Sequence, residues 1–222
     1  MKNNFRKLIN CVFILSNFFS AKAQFGDTII ASFHTKPKIF FQIAAYNSFV
    51  SNEPANTFGY RGGLEFNRRI RIGVGYYTLI SDIVKPKTIS GVFENDTTLN
   101  AQLDMNFIPL SLEYIFYNKD PWQISIPLYI GAGKSYFWYY LNSEGDRGKV
   151  DEKTVALMTM SAEAQYKIIK WVGVGAGLGY RLMLKDNNNI NENFNSVIYN
   201  IGLRIFVDEI FKSIFKKKSN PQ

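Results

Sequence analysis

Very few side chains in this 222-residue sequence can carry out chemistry. Histidine and cysteine, the most versatile of them, occur once each, as His34 and Cys11. A structural zinc site needs several Cys or His ligands, and a histidine-dependent hydrolase needs a nucleophile and a carboxylate arranged around its base. The sequence therefore predicts a protein that is not an enzyme and has no catalytic residues, no metal site and no cofactor.

The remaining chemistry lies in charged side chains that alternate with apolar ones. An unpaired charge is too costly to keep in a narrow interior, so we expect these residues to form buried pairs inside a barrel. The alternative is a charged constriction that controls the passage of ions through a narrow channel, or small porin. The residues of this predicted lumen charge network are Arg61, Glu65, Arg71, Glu113, Glu163, Lys167, Arg181 and Arg204.

Strands must position these charges, because apolar residues recur at every second position along most of the chain. The segment from Val172 to Leu182 is the clearest example. Its even positions are apolar and its odd positions are glycine or arginine. Comparable segments give eight predicted strands, near residues 38–49, 58–66, 70–77, 103–117, 124–132, 154–168, 172–182 and 199–207.

The connections between the predicted strands alternate between short and long. The short ones lie near residues 68–69, 118–121 and 169–170, and the long polar ones near 51–56, 82–102, 142–153 and 185–195. Short periplasmic turns and longer extracellular loops are typical of outer-membrane barrels. We therefore predict an all-β fold, an eight-stranded antiparallel up-and-down transmembrane β-barrel, with both ends of the barrel sequence on the periplasmic side.

The face opposite the apolar one decides between a membrane barrel and a soluble lipocalin-like ligand binder. A soluble exterior would be rich in Lys, Glu, Asp, Ser and Thr, whereas here the alternate face is mostly glycine with scattered Arg and Glu. From Val172 to Leu182 a strand tilted by about 40° rises about 25 Å, the height of a lipid-facing band. The predicted aromatic girdle at the short-turn end consists of Phe66, Tyr114, Trp122, Tyr166 and Trp171.

Both ends of the chain differ from the predicted barrel. Basic residues precede an apolar run that ends at Phe19, and small residues then lead to Gln24, which predicts a signal peptide cleaved after Ala23 and export to the outer membrane of a Gram-negative cell. The predicted organisation is a signal peptide (1–23), a periplasmic N-terminal segment (24–37), the barrel (38–207) and a basic amphipathic tail (208–222). Since much of the formal charge of +8 lies in the signal peptide and the tail, we expect no nucleic-acid binding.

One aromatic segment continues a predicted strand beyond the expected membrane edge. Lys134, Tyr136, Trp138 and Tyr140 form a candidate surface contact, either for glycan or protein ligands or, as an enlarged girdle, for lipopolysaccharide. The expected partners are outer-membrane lipid, lipopolysaccharide, the barrel-assembly machinery and a protein that the sequence does not identify.

Three features of the sequence carry a resemblance to a known family. They are Ala21-Lys22-Ala23-Gln24, the segment Phe107-Ile108-Pro109-Leu110-Ser111-Leu112-Glu113-Tyr114, and Gly-x-Gly strands such as Gly173/Gly175. In these features the chain resembles the small outer-membrane β-barrel proteins common in Bacteroidota, the PorT-like family within the OmpA-like eight-stranded barrels. The resemblance implies a structural or interaction role, accessory to secretion or to envelope maintenance.

Overall fold

The computed structural model describes residues 30–50, 53–89, 97–141, 146–185, 194–207 and 209–210. Within these ranges the chain forms nine strands: β1 Lys38–Val50, β2 Glu53–Phe66, β3 Ile70–Leu79, β4 Val84–Ile89, β5 Thr97–Lys119, β6 Trp122–Tyr140, β7 Arg147–Ile169, β8 Val172–Lys185 and β9 Ser196–Ile205. The predicted signal peptide and most of the predicted C-terminal tail lie outside the described residues.

Eight of the strands close into a ring. The strand order is β3-β2-β1-β9-β8-β7-β6-β5-β4, and an additional pairing of β3 with β5 closes the circle. Every neighbouring pair is antiparallel, including β1 with β9. The predicted eight-stranded antiparallel barrel is therefore confirmed.

The ninth strand, β4, is a correction to the predicted strand list. It lies in the segment 82–102 that the sequence suggested was one long loop, and it pairs with the first residues of β5, from Val84↔Gln102 to Ile89↔Thr97. Its sequence, VKPKTI, contains a proline and two lysines, so its apolar alternation is weak.

Three short turns gather at one end of the ring. They occupy residues 67–69, 120–121 and 170–171. In the first of them Asn67 and Arg68 have φ angles of 49° and 54°, the left-handed conformation that tight hairpins of twisted strands require. The other end carries the remaining connections. The prediction that residues 51–56 form a long loop is wrong for most of that segment, because β1 ends at Val50 and β2 begins at Glu53.

Strands β5, β6 and β7 rise well beyond their neighbours at that other end. They contain 23, 19 and 23 residues, whereas β3 and β9 contain 10 each. We call the raised part the head and define it as β4 with residues 97–106, 134–140 and 147–155. The prediction that 142–153 is a loop is therefore wrong for most of that segment, since β7 begins at Arg147.

Within the ring the apolar face points outward. Leu110 is 71% exposed, Leu178 63% and Ile201 65%, and the intervening positions point into the barrel. Some interior positions leave no room for a side chain: a Cβ on Gly63 would overlap the carbonyl oxygen of Ile72. The lipocalin-like alternative required the Val174 and Leu178 face to line an internal cavity, so it is wrong.

Short helical segments flank the barrel. Residues 30–33 form a helical turn before β1. The last strand, β9, ends at Ile205. Val207, which the sequence analysis placed on that strand, instead begins a helical turn. No helix in the described ranges is long and apolar enough to cross a membrane.

Candidate functional site

Glu113 is the centre of a group of buried charges in the half of the barrel near the short turns. Its carboxylate accepts hydrogen bonds from Arg61 Nη2 at 2.6 Å and from Arg71 Nη1 at 2.7 Å. Arg204 Nη2 lies 3.4 Å from both carboxylate oxygens. Three arginines from three different strands therefore converge on one glutamate, which is itself fully buried.

A second carboxylate and two amides complete this group. Glu65 Oε2 accepts from Arg71 Nε at 2.6 Å. The Gln42 carbonyl accepts from Arg61 and Arg204, each at 2.7 Å, and the Gln123 carbonyl accepts from Arg71 at 2.6 Å. We call the set the lumen cluster: Gln42, Arg61, Glu65, Arg71, Glu113, Gln123 and Arg204.

The lumen cluster joins β1, β2, β3, β5, β6 and β9 across the interior. Its three arginines and two glutamates carry one net positive charge, and each is less than 10% exposed. Since a buried charge without a partner costs several kcal/mol, the network is stable only when all its members are present. The geometry is that of a structural crosslink between strands, with the arginine forks bound to carboxylates and amides.

The other predicted lumen residues lie outside this cluster. Glu163 is buried and accepts from Asn200 Nδ2 at 2.7 Å. Arg181 is buried higher in the barrel, where it donates to Ser48 Oγ at 3.0 Å and to the Phe194 carbonyl at 2.9 Å. Lys167 lies at the short-turn mouth with its side chain 26% exposed, 4.0 Å from Asp120. The single predicted network is thus divided among several levels of the barrel.

Three tyrosines lie directly above the lumen cluster. The Tyr46 hydroxyl donates to the Tyr129 hydroxyl at 3.0 Å, and the ring centroids of Tyr46 and Tyr77 are 5.5 Å apart. The Arg61 guanidinium faces the Tyr129 ring at 5.1 Å and links the two levels. The cavity among these tyrosines measures about 20 Å³, which is on the order of a single water molecule.

Above the tyrosines the interior is mostly apolar, although the buried Arg181 also lies there. Buried aliphatic and aromatic residues from all nine strands form an apolar core that we call the head core, and within the head Leu103, Met105 and Phe137 are less than 2% exposed. The sequence analysis missed this head core because it assumed that the apolar residues of a strand face outward along its whole length. The signal is present in β5, where the apolar residues Leu103 and Met105 occupy the same face as the buried Glu113.

The predicted girdle residues lie at the short-turn end of the strands. Trp122 and Tyr166 face each other across β6 and β7, with ring centroids 5.0 Å apart, and both are exposed. Trp171 is 45% exposed. Tyr114 is half-buried, as is Phe66, whose ring lies 5.0 Å from that of Phe33 in the N-terminal helical turn.

Aromatic and basic side chains alternate on the outer surface of the head. Lys149 Nζ lies 4.3 Å from the Tyr136 ring centroid, and the Arg147 guanidinium lies 4.5 Å from the Trp138 ring and 5.5 Å from the Tyr140 ring. We call these five residues the head ladder. Cation–π contacts of this kind hold exposed side chains in place while leaving the charges in contact with solvent.

Ion pairs and hydrogen bonds support the head ladder from below. Lys134 Nζ lies 2.5 Å from Glu152, and this hydrogen bond holds the pKa of the Glu152 carboxyl below its usual range. Partial burial, together with a 2.9 Å hydrogen bond to Asp104, raises the pKa of Tyr136 to about 12. At neutral pH the head surface therefore carries an ionised Glu152 beside a neutral Tyr136.

His34 lies in the segment that precedes the barrel. This side chain is exposed before β1, with Nδ1 3.0 Å from the Ile30 carbonyl oxygen. Among the residues that the structure describes, no group of three or more His, Cys, Asp and Glu side chains could hold a metal ion.

Comparisons with known proteins identify the architecture. No family model matches the sequence, and no curated protein matches it. The structure is similar to Neisserial surface protein A, with a TM-score of 0.51 and 17% identity over 77% of this chain and 96% of that one. The N-terminal β-barrel domain of Pseudomonas aeruginosa OprF also matches, with a TM-score of 0.45 and 12% identity over 77% of this chain and 98% of that one. A major outer membrane protein from Thermus thermophilus matches with a TM-score of 0.47 and 9% identity over 75% of this chain and 98% of that one.

At such low identity the similarity concerns the fold alone. The match to Neisserial surface protein A agrees with the closed eight-stranded ring. The chain therefore has the fold of the small outer-membrane β-barrels.

Proposed function

We propose that this chain is an integral outer-membrane protein, without enzymatic activity, whose role is structural or interactive. The observation that carries the proposal is the distribution of its surfaces. The interior is filled by the lumen cluster, the tyrosines and the head core, and the outward face of the ring is apolar. Among the described residues, the head stands beyond the apolar band at the end opposite the short turns, and we assign to it the contact with other molecules.

The head is built as a rigid support for recognition. Its strands continue directly from the barrel, and its interior is packed with apolar side chains. Sites placed on rigid strands hold their side chains more precisely than sites on loops. The head ladder thus presents Arg147 and Lys149 in fixed positions toward the outside.

Lipopolysaccharide is the partner that we assign to the base of the head. Lys134 is 59% exposed and lies in register with Asn106 of β5 and Thr154 of β7, where the outward residues change from apolar to polar. A cation at this boundary is well placed for the phosphates of lipopolysaccharide. The finer form of the proposal, based on the resemblance of the sequence to PorT-like proteins, is an accessory role in secretion or envelope maintenance.

Single cysteines test the membrane topology, because Cys11 is the one cysteine of the sequence. In a Cys11→Ser background we expect Leu178→Cys to react with a lipid-soluble maleimide. Ser161→Cys, whose side chain is 4% exposed and points inward, is the matched control and should not react. In intact cells a membrane-impermeant maleimide should label Asn100→Cys on the head but not Lys119→Cys beside a short turn. A protein found only in the soluble fraction would contradict the proposal.

Planar-bilayer recording distinguishes this role from a narrow channel. We expect the purified barrel to insert without steady ion conductance, since apolar and charged side chains both fill its interior. Sustained single-channel steps that change with Glu113→Gln would favour the channel instead.

A further inference from the structure

A groove interrupts the apolar outer surface of the barrel on β1, β2, β3 and β5. Gly62 forms its floor, and Phe41, Tyr60, Val74, Tyr76 and Ile108 form its walls. The groove is shallow and widely open to the outside, with about 550 Å³ of space between its walls. The walls are apolar apart from the two tyrosine hydroxyls.

The glycine at position 62 is not required by packing within the protein. A Cβ there would lie 3.5 Å from the Phe40 carbonyl oxygen and 3.7 Å from the Phe41 ring, which are ordinary contacts. By contrast, a Cβ on the inward-facing Gly63 would overlap backbone atoms of β3. The neighbours of Gly62 on the outward face, Tyr60 and Leu64, are large and exposed. The missing side chain therefore leaves space on the lipid side alone.

The groove extends from the middle of the apolar band toward the head. Gly62 lies four residues from Phe66 at the short-turn end, a rise of about 10 Å for a strand tilted by about 40°. Tyr60 and Tyr76 lie farther toward the head, with ring centroids 6.1 Å apart. The groove thus opens toward the outer leaflet, with two hydroxyl groups at its upper end.

The wall formed by β3 and β5 contains an interruption of the strand ladder. Pairing runs as far as Val74↔Leu110 and resumes at Tyr77↔Phe107. Pro109 lies in the interval and has no backbone N–H to donate. The groove therefore lies beside an interruption in the pairing of β3 with β5, at the level of Tyr76 and Ile108.

We propose that this groove binds an acyl chain of lipid A, with a lipid A phosphate near Lys134. The inference rests on the proposed membrane location, which makes hydrocarbon the medium that covers the groove. The charge of Lys134 supports lipid A as the occupant: Thr78 of β3 pairs with Asn106 of β5, which pairs with Lys134 of β6. Two strand spacings, about 10 Å, thus separate the groove side from a cation at the outer boundary.

Native mass spectrometry after extraction from vesicles tests the assignment. The full-length protein is reconstituted in vesicles of phosphatidylethanolamine containing lipid A, and the retained lipid is identified by its mass. We expect the wild-type protein to retain lipid A and Gly62→Leu, which fills the groove, to lose it. Ala176→Leu, an equivalent enlargement on the exposed outward face of β8, is the matched control and should retain lipid A.

The other results each overturn a defined part of the inference. If the protein retains phosphatidylethanolamine alone, that lipid and not lipid A is the occupant. If it retains a second copy of the barrel, and Gly62→Leu releases that copy, the groove is instead an interface between copies. Insertion with no retained lipid, or equal retention by wild type and Gly62→Leu, would remove the site while leaving the membrane assignment intact. Failure of the folded protein to insert into vesicles would overturn both. A shift in gel mobility on heating shows that each variant is folded.

Discussion

The barrel interior is charged in its lower half, near the short turns, and apolar in the head. Near the short turns the interior holds the lumen cluster, in which Glu113 binds three arginines. In the head the same faces of these strands carry Leu103, Met105 and Phe137, all almost fully buried. The outward face changes in the opposite direction, from Leu110 and Ile108 in the band to Gln102 and Asp104 on the head.

This reversal follows from the solvent that each part of the strand meets. Where the outward face meets hydrocarbon it must be apolar, and polar groups can then be satisfied only inside, by pairing. Where it meets water, burial of apolar side chains in the interior provides the stabilisation, as in a soluble β-protein. A strand such as β5 therefore combines a membrane pattern and a soluble pattern in one continuous element.

The strongest test of the lower half is removal of the central charge. We expect Glu113→Gln to lower the free energy of unfolding by about 3–5 kcal/mol, because three buried arginines lose their common counterion. Urea unfolding in detergent micelles measures the change. Glu163→Gln is the matched control: its carboxylate accepts from Asn200 and Ser161, so we expect a smaller loss of about 1 kcal/mol. Equal losses in the two variants would refute the central role of Glu113.

A charge placed on the outward face should distinguish the band from the head. Leu110→Arg puts a guanidinium in the apolar band, and we expect a cost of about 2–4 kcal/mol in vesicle-folded protein. Asn100→Arg places the same group on the exposed surface of the head, where we expect a change within about 0.5 kcal/mol. If both substitutions proved equally mild, the outward face of the ring would not be in contact with hydrocarbon.

A cavity in the head core should loosen the head and leave the ring closed. For Leu103→Ala, which removes a side chain from a residue that is 1% exposed, we expect a loss of about 2–3 kcal/mol, in the lower part of the range for core leucines. Hydrogen exchange should increase mainly in β4 and in the head portions of β5 to β7. Leu178→Ala on the lipid side serves for comparison, because lipid can fill the space that it leaves. Faster exchange spread evenly around the ring would mean that the two halves are not separate.

The smallest effect should come from the exposed Lys134–Glu152 pair. The folded-state pKa of Glu152 is lowered by Lys134, so the contribution of the pair to stability is present at neutral pH and is lost as pH falls through that lowered pKa. Carboxyl NMR titration should show this low pKa, and Lys134→Ala should move it back toward the ordinary value. Salt should weaken the pair, whereas the lumen cluster, being buried, should respond little. A Glu152 pKa unaffected by Lys134→Ala would contradict the assignment.

Much of the fold was predictable because the outward band has a simple physical signature. Strict alternation over residues such as 172–182, short turns near 68, 120 and 170, and glycine on the inner face led to the eight-stranded ring. The head was not predicted. In its strands the apolar residues face inward and the polar residues outward, which is the opposite of the band. In addition, β4 contains Pro86, so segments that were predicted as loops are strands.

The interior charges were recognised individually but not as the groups that they form. Alternation placed Arg61, Arg71 and Glu113 on inner faces, since each falls between apolar neighbours. It could not show that Arg181 lies at another level, because that depends on the stagger between strands. Gln42 and Gln123 were missed for a related reason: an amide becomes part of an ionic cluster only when the register brings it beside an arginine.

The sequence by itself determined the faces of the strands, because the period of two and the chemistry of alternate residues are local properties. Only the tertiary structure decided which inward residues share a level, where the interior changes from charged to apolar, and that Gly62 opens a groove between large side chains. These features depend on strand register and ring closure, which bring together residues as distant in sequence as Gln42 and Arg204. Local alternation fixes which way a side chain points, but closure of the ring decides what it meets.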